Sequence, residues 1–214
     1  DGLKGGGDVV EKALQQAVQF INQGADILDI GGESTRPGSE PVSAEEEIAR
    51  VLPLVERLSD QFPGMLLSID TYKAEVARAA LGAGVDWVND IWGLNGDPGM
   101  ADVVAEFNVP VVIMHNRSKP GTAQLEARLG GRYVGAEYSD LIGEICTELM
   151  ASVALAHVHG IRDENIILDP GIGFGKTVDQ NLELVERLRE IKALGYPLLI
   201  GPSRKSFIGY TLDL

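Results

Sequence analysis

Short apolar runs and longer amphipathic stretches alternate along this chain. Six runs rich in Ile, Val and Leu stand out: Asp26–Gly31, Leu66–Asp70, Trp87–Ile91, Pro110–His115, Ile166–Asp169 and Leu198–Gly201. They are apolar almost throughout, as parallel strands covered on both faces are. The stretches Val9–Gln23, Ala44–Gln61, Ala74–Gly82, Pro98–Phe107, Ala136–His159 and Asp179–Leu194 read as helices. Ser43 before Ala44-Glu45-Glu46 is a capping-box pattern. Gly24, Gly84, Gly160 and Gly195 each follow a helical stretch, where a left-handed cap favours glycine.

Strand–helix alternation at roughly 30 residues per unit predicts a parallel sheet. No dinucleotide fingerprint follows any strand. Polar and glycine-rich residues follow nearly every strand, rather than gathering at one switch point. That pattern predicts an α/β fold of the (β/α)8 TIM-barrel type, with about six of its eight β/α units present. Residues 1–214 read as a single domain, truncated at both ends. Asn116–Gly135 is long for a βα loop and reads as a candidate lid.

Composition narrows the partners. The chain has 214 residues, 44% of them hydrophobic, which is enough for one sizeable core. A formal net charge of -14 argues against nucleic acid and against anionic membranes. An anionic substrate would need local cations working against that field. The one cysteine, Cys146, allows no internal disulfide and fits a reducing compartment. With no leader-like segment at the start, the expectation is a cytoplasmic protein.

Candidate chemistry lies at the strand ends. Asp29-Ile30-Gly31-Gly32-Glu33-Ser34-Thr35-Arg36-Pro37-Gly38 offers hydroxyls and, in Arg36, a fork for a carboxylate or phosphate. The bland alternative is a surface loop whose Arg pairs with a nearby Glu. Asp70, Asn89 with Asp90, and Asp169 end three different strands. Any one of them could cap the next helix. Together, at equivalent positions, they could recognise a flat heterocycle bearing ring N–H and amino donors. Asp169-Pro170-Gly171-Ile172-Gly173-Phe174-Gly175-Lys176-Thr177 fails both the P-loop and the dinucleotide pattern, and offers Phe174 as a stacking wall. Gly201-Pro202-Ser203-Arg204-Lys205-Ser206 brings cations to a helix start, where the dipole disfavours them, so Lys205 is weighted toward function. Met114 can pack on a ring. His115 reads as a hydrogen-bonded core histidine, His157 and His159 as surface residues and Cys146 as packing. No zinc-ligand spacing is present.

In order along the chain, GGESTRPG, SIDTYK, the Asn-Asp pair, the Met-His pair, DPGIGFGKT and GPSRKSFIG resemble the dihydropteroate synthase family. The resemblance covers essentially the whole chain. It implies a pterin site at the C-terminal mouth of the barrel. Asp70, Asn89 and Asp169 would bond the pterin edge. Ile91, Met114 and Phe174 would line the ring, with Gly201 and Lys205 completing the pocket. Thr35, Arg36, Pro37 and Ser206 would lie near p-aminobenzoate or the departing pyrophosphate, with Arg36 and Lys205 as the catalytic candidates.

The implied reaction is condensation of 6-hydroxymethyl-7,8-dihydropterin diphosphate with p-aminobenzoate, releasing pyrophosphate with the help of Mg2+ in this family. A homodimer is implied as well. In the family a first strand, carrying the metal-linked Asn, would precede Asp1, and a last one, with an anion-binding Arg and His, would follow Leu214. The expectation is therefore weak or no turnover for this chain alone. Two other readings use the same Asp/Asn/Asp ring: a methyltetrahydrofolate–corrinoid methyltransferase domain and a non-catalytic pterin-binding remnant.

Overall fold

The computed structural model describes residues 7–34, 39–117, 125–126, 132–133 and 136–212. Helix α1 (Gly7–Asn22) leads into strand β1 (Ile27–Ile30). Then come α2 (Ala44–Gln61), β2 (Leu66–Asp70), α3 (Ala74–Gly82), β3 (Trp87–Asp90), α4 (Met100–Phe107) and β4 (Val111–Met114). A two-stranded antiparallel hairpin, β5 (Leu125–Glu126) and β6 (Arg132–Tyr133), lies within the candidate lid, the rest of which from 118 onward falls outside the described residues. The chain continues through α5 (Leu141–Val158), β7 (Ile166–Asp169), α6 (Val178–Glu186), α7 (Leu188–Lys192) and α8 (Ser206–Leu212).

The five longer strands form one parallel sheet in the order β1-β2-β3-β4-β7. It is a partial (β/α)8 barrel. The register sorts side chains onto two faces. Leu28, Leu67, Ile69, Val88, Val111, Ile113, Ile166 and Leu168 share one face and are buried under the helices. Asp29, Ser68, Asp70, Asn89, Met114 and Asp169 share the other, which turns to the barrel interior. One face therefore supplies cohesion, and the other is left for polar residues.

Local chemistry explains the boundaries. The Ser43 side chain accepts from Glu46 N at 3.2 Å, but the Glu46 carboxylate turns to Arg50, so only half of the expected capping box forms. A complete box forms instead at Thr177 and Gln180. The four expected left-handed glycines have φ of +92°, +106°, +85° and +95°.

Three expectations need correction. Helix α5 starts at Leu141 rather than Ala136, because Asp140 caps it and Ala136 N donates to Gly175 O at 3.0 Å. The last long helix is broken at Arg187 (φ −100°, ψ 17°), whose guanidinium bridges Glu183 and Glu190 across the break. Leu198–Gly201 is not a full strand. Leu198 makes a single parallel bridge to Leu168, and Ile200 is exposed. With a neighbour on one side only, among the described residues, this segment lacks the two-sided ladder that holds an interior strand.

Helix α5 is long and apolar enough to cross a membrane by length and composition. Its face of Leu141, Ile142, Ile145, Leu149, Val153 and Ala156 is buried in the core.

Candidate functional site

Parallel register places the polar strand ends side by side. Asp70 of β2 sits opposite Asn89 of β3, and Met114 of β4 opposite Asp169 of β7. Three strands thus present two carboxylates and an amide to the same interior. Asp90 departs from its neighbour. It is wholly buried on the helix side and accepts from Trp92 N and Leu94 N at 2.9 and 2.8 Å, fixing a turn in which Leu94 has φ +69°. Burial pushes Asp90 up to about 6. Asn89 therefore faces the slot, while Asp90 shapes the loop above it.

The interior carboxylates are held in a costly state. Burial drives Asp70 well above the ordinary carboxylate range, and the charges of Asp29, Glu47 and Asp90 add to the effect. Its Oδ1 is buried and finds no hydrogen-bond partner among the described residues. An unmatched buried acceptor costs about 1–3 kcal/mol, so the position favours a ligand donor. Asp169 is raised to about 6 by burial, against the hydrogen bond it accepts from Gly171 N at 2.7 Å. Asp29, to which the sequence assigned no individual role, lies on the same face and is exposed there. Its Oδ2 accepts from Asn89 Nδ2 at 2.9 Å.

The walls are apolar. Ile91 and Met114 are buried at the rim. Phe174 lies under Lys205, whose Nζ is 3.9 Å from the ring centroid. A Cβ at Gly173 (φ +80°) would stand 2.6 Å from Lys205 Cδ, so glycine leaves room for the lysine stem there. Gly201 precedes Lys205 on the same connection, and Ser206 opens α8. The structure brings Asp70, Asn89, Met114 and Asp169 together at neighbouring strand ends, and it joins Phe174 to Lys205. Thr35, Arg36 and Pro37 lie outside the described residues.

Two anchors flank the slot. Lys176 is 3% exposed, and its Nζ contacts Gly171 O at 3.0 Å, Phe174 O at 3.2 Å and His115 Nδ1 at 3.2 Å. Three acceptors match the three hydrogens of an ammonium. Burial nevertheless lowers Lys176 to about 7. His115 is lowered to about 4, chiefly by burial and then by Lys176. It is therefore neutral at pH 7, and its Nε2 lies 3.0 Å from Glu148 Oε2. This is the hydrogen-bonded core histidine expected from the sequence. Asn181 braces the same loop, accepting from Gly173 N at 2.6 Å and donating to Thr177 O at 2.7 Å. On the other flank, Lys73 pairs with Glu33 and, at 2.5 Å, with the buried Glu47. Arg50 donates to Gly32 O at 2.8 Å. These contacts hold the root of the Gly31–Ser34 loop.

Among the described residues, no three His, Cys, Asp or Glu side chains converge to hold a metal ion. The described residues thus offer no carboxylate cluster of their own for the expected magnesium. His157 and His159 pair with Asp163 and Asp102 at 2.8 and 2.6 Å on the surface. Cys146 packs half-buried against the core.

Comparison with known proteins bears on family and fold. The family model "Pterin binding enzyme" matches residues 4–214. The dihydropteroate synthase of Clostridium beijerinckii is 48% identical over 205 residues, covering 96% of this chain and 70% of that protein. Among solved structures, the dihydropteroate synthase of Clostridium difficile, determined in the presence of pteroic acid, superposes with a TM-score of 0.87 at 43% identity, covering 98% of this chain and 74% of the other. The Xanthomonas albilineans enzyme with 4-aminobenzoic acid gives 0.85 at 41% identity, covering 96% and 69%.

Proposed function

The chain belongs to the pterin-binding enzyme family, and from that premise we infer that its interior carboxylates and amide form the pterin slot of a dihydropteroate synthase. The function is that of a transferase in folate biosynthesis. It joins the methylene carbon of 6-hydroxymethyl-7,8-dihydropterin diphosphate to the amine of p-aminobenzoate and releases pyrophosphate. Its partners are small-molecule substrates, in line with the pteroic acid and 4-aminobenzoic acid in the related structures.

The observation that carries the assignment of the slot is the alignment of Asp70, Asn89 and Asp169, with Asp70 Oδ1 buried and unmatched. Ring N–H and amino donors of a pterin would supply the missing partners. Ile91, Met114 and Phe174 would sandwich the ring, and Gly201 would leave it room. In the transfer the aniline nitrogen forms a bond to the methylene carbon as the C–O bond to diphosphate breaks, and the amine then loses a proton. An aniline needs no strong base, so the carboxylates act by recognition. Lys205, beside Phe174, and Arg36 would stabilise charge as pyrophosphate departs. Thr35, Pro37 and Ser206 would flank p-aminobenzoate.

We extend the reading to a cytoplasmic homodimer. Helices α6 and α8 pack together and leave Leu182, Val185, Tyr210 and Leu212 exposed, an apolar set suited to a second copy. Sedimentation would read the assembly.

The slot is tested by calorimetric titration with a hydroxymethylpterin analogue. Wild type should bind, and Asp169→Ala should lose binding while remaining folded. Arg36→Ala should keep analogue affinity and lower the rate of pyrophosphate release. Unchanged analogue affinity in Asp169→Ala would place the slot elsewhere.

A further inference from the structure

We propose that Asp29 is a positioning residue, one that fixes the donor–acceptor order which the Asn89 amide presents to the pterin. The inference rests on the slot described above and concerns a residue to which that slot gives no direct contact with ligand.

Asp29 and Asn89 lie 60 residues apart in sequence and two strands apart in the sheet, yet Asn89 Nδ2 donates to Asp29 Oδ2 at 2.9 Å. Ser68, paired with Asp29 across β1 and β2, also hydrogen-bonds the carboxylate. An asparagine amide is nearly symmetric in shape, and its two ends differ only in chemistry. Left alone, it could turn either the oxygen or the nitrogen toward a ligand. Desolvation raises the Asp29 pKa, while the hydrogen bonds from Ser68 and Asn89 pull it back down; in its ionised form the carboxylate accepts only, so it admits the NH2 end and repels the oxygen. With Nδ2 committed to Asp29, Oδ1 is directed away from Asp29, leaving one N–H beside it. Asn89 then offers acceptor and donor in one fixed order next to the unmatched Asp70 Oδ1. A pterin edge, with its own fixed order of ring N–H, amino and imine nitrogen, is read correctly in only one of the two amide orientations. Asp29 also sits close enough to Asp70 to raise its pKa. A purely electrostatic role would therefore make its removal neutral or helpful to binding. The positioning role predicts the opposite sign.

The test is Asp29→Asn, which keeps the shape but lets either end of either amide face the other. Affinity for the pterin analogue should fall about tenfold, roughly the effect of one misdirected hydrogen bond. The affinity for p-aminobenzoate in the presence of pyrophosphate should stay within about twofold, and the melting temperature should barely move. In an Asn89→Ala background the same change should have no further effect on analogue affinity, because Asp29 acts through Asn89. Should Asp29→Asn fail to fold, Ser68→Ala, which frees the carboxylate to swing, should weaken analogue binding in the same direction. Wild-type analogue affinity in Asp29→Asn, or in Ser68→Ala as its replacement, overturns the proposal if Asp169→Ala still loses binding. So does a full additional loss in the Asn89→Ala background. Unchanged affinity in Asp169→Ala as well would instead remove the slot on which the proposal rests.

Discussion

Replacing Lys176 by methionine should erase a rise in stability with alkaline pH that wild type is expected to have. Lys176 has a folded-state value of about 7, below its ordinary 10.5, with burial as the leading cause. The sign follows from proton counts. Between about pH 7 and 10.5 the unfolded chain holds a proton that the folded protein has released, so stability rises with pH in that window. At about 1.4 kcal/mol per pH unit, the full gap corresponds to about 5 kcal/mol. From pH 7.5 to 9.5 the wild type should gain roughly 2–3 kcal/mol relative to Lys176→Met. Urea unfolding of both proteins at several pH values reads this difference directly. Other groups titrating in the window, such as Cys146 with its raised thiol, cancel in the subtraction. Parallel curves for the two proteins would refute the reasoning. They would mean that the three acceptors around Nζ hold the ammonium at its ordinary value.

Three further outcomes follow from other contacts. Because free Asp169 titrates near 6 and pterin donors favour its charged form, analogue affinity should fall about tenfold between pH 7 and 5; a flat wild-type titration curve would separate Asp169 from the ligand. Gly171→Ala should cost at least about 3 kcal/mol in urea unfolding, since its Cβ would stand 2.0 Å from His115 O at φ +72°. Gly24→Ala, at φ +92° with nothing within 4 Å, should cost only about 1 kcal/mol, and equal costs would discount the clash. Lys73→Met should destabilise by about 3 kcal/mol by leaving Glu33 and the buried Glu47 without their cation; adding Glu47→Leu should recover part of the loss, and no recovery would deny that pairing.

The sheet was legible because its strands are buried on both faces, and a short unbroken Ile-Val-Leu run such as Val111–Met114, set between turn residues, suits an interior strand best. Leu198–Gly201 has the same composition but only one neighbour, so the run could not reveal that its ladder shrinks to a bridge. Asp70, Asn89 and Asp169 were legible by position, as polar residues ending apolar runs. The divergence of Asn89 and Asp90 was also implicit, since adjacent strand residues face opposite ways. The burial of Lys176 was not legible, because a lysine in a glycine-rich loop looks like a phosphate ligand or a surface cation. One of its three acceptors, His115, lies 61 residues away. Asp29 was hidden for the same reason, as its partner is equally remote and no local pattern announces an amide held by a carboxylate. The break at Arg187 depends on ion pairs whose residues look like ordinary helix surface.

The unmatched Asp70 oxygen bears on how such a chain can change under selection. A group whose burial opposes its own charge is a standing liability in the free protein; under the proposed slot it is tolerated because it serves recognition. Substitutions there that raise thermal tolerance should be easy to find and should cost the pterin site its function. Conversely, resistance to a pterin-site inhibitor gained at Asp70 should come with a sturdier fold. Constraint at this position would then come from activity, with folding pressing the other way.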